Sequence, residues 1–160
     1  MIVEDVIRKF MELAEIDPSH NISEYVYLYN IIESELSTDY IKLYCTENFK
    51  CTEKPYTEFK YKVLSIKEAE NKYYYVSPTA LVSKNGKNLG KVTYAAVPNQ
   101  KVYDDESSYP DKYLKIIAFG MCAEFCLQLG LYEEAKEWNT KYKNQIIWMF
   151  HDRQRGISIE

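Results

Sequence analysis

Glycine and proline are scarce, five of each in 160 residues, so the chain has no collagenous repeat, no low-complexity tract and no linker-dominated region. Histidine is scarcer still, with two residues. No run approaches the eighteen or so consecutive apolar residues of a membrane span. The opening MIVEDVIRKF carries acids where a signal peptide needs a positive n-region, so a cytosolic site of assembly is expected. A basic excess is missing as well. Twenty Lys and Arg against 24 Asp and Glu give a formal charge of −4, which argues against broad nucleic-acid binding.

Familiar catalytic patterns are absent too. The glycines stand at 86, 90, 120, 130 and 156 and form no phosphate-cradling loop. HExxH and GxSxG do not occur. His20 falls in an expected loop and His151 at an expected helix end, neither in a constellation that would make it a general base. Cys122 and Cys126 share a helix face, while Cys45 and Cys51 lie in a less regular segment. Lacking a CxxC knuckle, the four thiols read as small buried hydrophobes, with no metal and no cofactor expected. Asp104, Asp105, Glu106 and Asp111 lack the spacing of a calcium loop and read as a solvated turn. The sequence thus predicts no enzyme.

What the chain has in quantity is tyrosine, 16 residues and most of its 15% aromatic content. A large apolar ring with a polar tip suits half-buried strands and protein interfaces. Helical periodicity opens the sequence: Val3, Val6, Ile7, Phe10, Leu13 and Ala14 predict a helix over about 2–15, stopped by Asp17-Pro18. A second helix is expected over about 23–37 with Ser23 as its N-cap and Val26, Tyr29, Ile32 and Leu36 facing inward. From about 40 to 102, aromatic and β-branched residues at two-residue period predict a small antiparallel sheet. Asn85-Gly86 is the strongest turn signal, expected to close a hairpin between strands near 79–84 and 90–97, with a bulge at Gly90.

Helices return over about 111–129 and 132–150, joined tightly at Gly130 as an antiparallel hairpin. Tyr113, Leu114, Ile117, Met121, Phe125 and Leu129 mark the first inward face; Leu131, Ala135, Trp138, Tyr142, Ile146 and Met149 mark the second. Gly120 and Ala123 narrow the first helix for close approach. Residues 151–160 read as a short polar tail extending from the body. The fold class predicted is α+β: one domain over 1–150, two N-terminal and two C-terminal helices around an inserted sheet. The Lys and Tyr interleaving between Lys54 and Tyr75 reads as a sheet that meets protein rather than stacked bases. Candidate interface residues are Tyr73, Tyr74, Tyr75, Asn85 and Tyr94 on that sheet, with Arg153 and Arg155 on the tail.

A resemblance adds to this reading. The strand Lys91-Val92-Thr93-Tyr94-Ala95-Ala96-Val97-Pro98 is followed by an acidic loop, then a helix with Ala118-Phe119-Gly120 and Ala123-Glu124-Phe125. Gly130, Glu133-Glu134-Ala135, Trp138 and Tyr142 come next. The pattern resembles the head-to-tail connector (adaptor) proteins of tailed bacteriophages, closely from Lys91 onward and by order of elements before it. The resemblance implies a non-enzymatic virion protein of the neck, assembled in the host cytoplasm, forming a ring, commonly of about twelve copies, beneath the portal. It implies as partners other copies of the chain, the portal protein and the next tail or neck protein, with DNA as passing cargo and no membrane. Net acidity suits such a conduit, because tight DNA binding would stall passage. The alternative is a tetratricopeptide-like interaction module, since Gly130 to Ala135 is also how the second helix of that repeat begins.

Overall fold

A computed structural model describes residues 1–49, 57–84 and 89–160. Its class is α+β, as expected. Helix α1 (Val3–Leu13) buries Val3, Val6, Ile7 and Phe10 of the expected stripe and Met11 outside it, while Leu13 and Ala14 are half-buried. Glu4 and Asp5 occupy its positively polarised first turn, and the Asp5 carboxylate accepts from the Ile2 amide at 3.0 Å. The chain leaves α1 through Glu15, held at φ 55 before Asp17-Pro18.

The second helical region is more broken than one helix over 23–37. A 3₁₀ turn (Ile22–Tyr25) leads into α2 (Val26–Glu35), and a π turn (Leu36–Tyr40) follows. Asn21, not Ser23, is the cap: its Oδ1 accepts from the Ser23 amide at 3.1 Å. Leu28, Tyr29, Ile32 and Leu36 are buried, and so are Asn30 and Glu33 beside them. These two anchor the loop that enters the last helices. Asn30 pairs with both backbone groups of Lys101, while Glu33 Oε1 accepts from Ser108 N and Tyr29 Oη at 2.8 Å each. Lys101 Nζ lies 3.4 Å from Glu33 Oε2.

The strands are β1 (Leu43–Phe49), β2 (Thr57–Glu58), β3 (Lys62–Ala69), β4 (Tyr73–Ser77), β5 (Ala80–Ser83) and β6 (Gly90–Val97). With β7 (Ile157–Ile159) they form, among the described residues, two sheets rather than one: the larger has the order β3-β6-β1-β7, and the smaller β2-β5-β4. Strand β7 comes from the C-terminal segment and pairs parallel to β1, so the larger sheet is mixed rather than antiparallel throughout. The expected hairpin between 79–84 and 90–97 does not form. Strand β5 pairs with β4 and β2, while β6 lies between β1 and β3. The physical reason is burial: Val92, Tyr94, Ala95 and Ala96 are each at most 1% exposed, and a strand buried on both faces belongs at the centre of a sheet. Asn85-Gly86 lies outside the described residues. Gly90 does take φ +68, yet the register shifts fall in β3 and β4, not at Gly90.

Helix α3 (Leu114–Gln128), entered through a 3₁₀ turn at Asp111–Tyr113, is buried nearly all round. Gly120 is where its neighbours come closest: a β-carbon there would stand 2.8 Å from Ile32 Cγ2 and 3.1 Å from Tyr142 Cε1. The connection through Gly130, at φ +75, turns the chain into α4 (Tyr132–Trp148). The face expected of α4 is only partly covered. Ala135, Tyr142 and Ile146 are buried, Trp138 and Met149 half-buried, and Leu131 exposed. Just past α3, Leu129 is likewise exposed at 58%.

The tail does not extend from the body. Residues Phe150–Arg155 form α5, and β7 returns to the sheet, where Ile157 and Ile159 pack half-buried against the core. Gly156, at φ +71, permits the return: a β-carbon would meet Tyr44 Cε2 at 2.3 Å and the Lys42 carbonyl oxygen at 2.8 Å. Two apolar residues alternating in a short polar stretch suffice to add an edge strand.

Candidate interaction surface

The structure divides the seven residues expected at an interface. Tyr74 and Tyr75 are 55% and 52% exposed on β4, next to exposed Val76, and the Lys84 ammonium lies 5.0 Å from the Tyr74 ring centre. Tyr73 is half-buried, packed on the Leu81, Leu89 and Val92 cluster. Tyr94 is wholly buried at the centre of the larger sheet, so it cannot face a partner; its hydroxyl donates to Glu47 Oε2. Asn85 lies outside the described residues. Arg153 and Arg155 are exposed on α5, where the Arg153 guanidinium reaches the Ile147 carbonyl at 3.4 Å.

Much of the tyrosine surplus serves the interior. Tyr29, Tyr94, Tyr109, Tyr113 and Tyr142 are among the largest fully buried side chains. A buried phenol needs a partner for its hydroxyl. Tyr29 donates to Glu33, Tyr109 to the Ile41 carbonyl at 2.8 Å, and Tyr113 to Asp152 at 2.7 Å. Tyr142 is the exception: its buried hydroxyl has no hydrogen-bond partner. The Glu35 carboxylate stands beside it, and burial first, then Glu35, pushes the phenol pKa up.

Tyr142 borders an open groove of about 470 Å³ whose floor is α3 and whose walls are α2 and α4. Gly120 and Ala123 keep the floor low; Ile32 and Glu35 line one wall, and Lys136, Asn139 and Lys143 the other. Burial first, then the Asp39 charge, raises the Glu35 carboxyl above the usual carboxylate range. Among the described residues, no histidine, cysteine, serine or threonine lines this groove. His20 and His151 are both exposed. The described cysteines, Cys45, Cys122 and Cys126, are buried and free, and burial pushes the Cys122 thiol up to about 12. Among the described residues no group of three or more His, Cys, Asp or Glu could hold a metal ion, and no helix is long and apolar enough to cross a membrane.

Large apolar side chains are left uncovered at both ends of the α3–α4 hairpin. At the turn stand Leu127, Leu129, Leu131 and Tyr132, the last 69% exposed. At the α4–α5 corner stand Ile147, Trp148 and Phe150, at 59%, 80% and 56%. Scattered exposed hydrophobes are ordinary; clustered ones mark an interaction surface. Sequence reasoning missed this corner. Its signal was the unbroken run Ile146-Ile147-Trp148-Met149-Phe150, five apolar residues that one helix face cannot bury together. No protein-family model and no curated protein matches the chain.

Proposed function

We propose that the chain is a non-enzymatic virion structural protein resembling a phage head-to-tail connector, assembling as a ring beneath the portal and extending the DNA channel toward the tail. The observation that carries this reading is the exposed apolar surface at both ends of the α3–α4 hairpin, the segment in which the resemblance is densest. An isolated subunit leaves those side chains in water; neighbours in an assembly cover them. The order helices, sheets, helices agrees with the resemblance, and exposed Tyr74 and Tyr75 offer a further contact on the smaller sheet. A formal charge of −4 per copy, repeated around a lumen, repels phosphates and lets DNA pass. The tetratricopeptide alternative draws on the α3–α4 hairpin alone; the two sheets have no place in a helical solenoid.

The test is negative-stain microscopy of the chain co-expressed with the portal protein encoded by the same genome. Rings of the chain stacked on portal rings are expected. Portal rings that never carry the chain would contradict the proposal.

A further inference from the structure

We infer that the groove between α2 and α4 receives the α4–α5 corner of the next copy of this chain, so that successive subunits join head to tail. The inference rests on the ring reading and specifies the contact that closes it. Two observations converge. At the corner, Trp148, Ile147 and Phe150 leave more than half of their surface in water. The open groove of about 470 Å³, lined by Ala123, Leu127 and Ala135 among others, has room for such side chains.

Charge is complementary as well. On the α2 side Glu35 and Asp39 form no ion pair among the described residues. The corner brings Arg153 and Arg155, both exposed. Of the lysines on the opposite wall, Lys143 lies 5.4 Å from the Tyr40 ring centre and offsets part of the acidity, since it also attracts Glu35 and Asp39. Asp152, the acid of the corner, is already held by Lys112 and Tyr113.

The occupant has to come from another molecule. Trp148 lies twelve residues beyond Lys136 on one continuous helix, about 18 Å along its axis, so the corner cannot fold back into its own groove. Two different surfaces of one subunit, each complementary to the other, make a heterologous contact that closes into a ring when the rotation allows. Three anchoring side chains bury only several hundred Å², below the roughly 1,200 Å² of a standard stable interface. Isolated pairs are therefore weak, and assembly depends on concentration or on a portal template.

The experiment places the photo-reactive amino acid p-benzoylphenylalanine at position 148, mixes isotopically heavy and light chains, and assembles them on co-expressed portal. Cross-links between heavy and light copies mapping to the Lys136–Lys143 segment or to Glu35 are expected. In parallel, Trp148→Glu should raise the concentration for half-assembly by about thirtyfold or more, the effect of losing a hot spot. Its circular dichroism and melting should match the parent, because the side chain is 80% exposed. Rings that form with cross-links elsewhere, or unimpaired by Trp148→Glu, overturn the groove contact and leave the connector reading standing. Failure of the parent chain to form rings with or without portal overturns both.

Discussion

Gly120 of α3 faces Ile32 of α2 so closely that a β-carbon on the glycine would stand 2.8 Å from Ile32 Cγ2. Helix propensity favours alanine over glycine by about 1 kcal/mol in a helix interior, and here packing must outweigh it. Tyr142 closes the other side at 3.1 Å, so neither neighbour has room to withdraw cheaply. Gly120→Ala should therefore destabilise the fold by about 1–2 kcal/mol, the overpacking cost less the propensity gain. Urea denaturation measures it; a more stable variant would show that α2 and α4 can spread apart.

The two tryptophans separate core from surface. Trp138 is half-buried, its ring 5.8 Å from that of Phe119 with the Lys141 ammonium 4.5 Å above it. Trp138→Ala should cost about 2–3 kcal/mol, below the 3–5 of a fully buried aromatic. Trp148→Ala should lie within about 0.5 kcal/mol of the parent, as exposed substitutions do. Thermal melts of both variants check this, and equal costs would contradict the packing of α4.

Glu33 is the buried charge of the helical core, 1% exposed. It ties α2 to the loop before α3 through Ser108 and Lys101, and Tyr29 of the same helix donates to it. Glu33→Ala should destabilise by about 3 kcal/mol, since it removes the ion pair of the Lys101 ammonium, which keeps only Asn99 O and Ser108 Oγ, and leaves the Ser108 amide unpaired. Amide hydrogen exchange should show the 99–109 loop opening first. A loss confined to a few tenths of a kcal/mol would contradict the anchoring role.

Much of the helical framework was legible because its signals are local. The spacing of Val3, Val6, Ile7 and Phe10, the stop at Asp17-Pro18 and the turn at Gly130 each act within one or two turns of chain. The sheets were less legible, because partner choice is a long-range contest. The sequence marked β6 as a strand, but nothing near it says that Val92 and Tyr94 are buried between β1 and β3. The return of Ile157 and Ile159 to β1 likewise depends on an edge that exists only after folding. Of the residues expected at an interface, Tyr74, Tyr75, Arg153 and Arg155 are exposed. Tyr94 was not separable from them, since a tyrosine on a strand looks the same whether it faces water or the core.

The raised carboxyl of Glu35 predicts a pH signature. Burial and Asp39 raise it, Lys143 opposes, Glu124 adds to the rise, and Tyr142 stands beside it. A carboxyl whose pKa is higher in the folded state contributes stability below the unfolded carboxylate range, and loses it as pH rises through the raised value. Glu35→Gln should therefore raise the melting temperature at pH 7 relative to the parent and give no gain at pH 4. Arginines from a neighbour would reverse the sign in the assembled state, so the same variant should assemble less well at pH 7. Gain without loss of assembly would contradict the role given to Glu35.

Native mass spectrometry of the chain co-expressed with its portal protein tests the central claim most directly. The account predicts a closed assembly of about twelve copies of the chain bound to the portal. A single free subunit at every concentration, with the portal oligomer bare beside it, would contradict it.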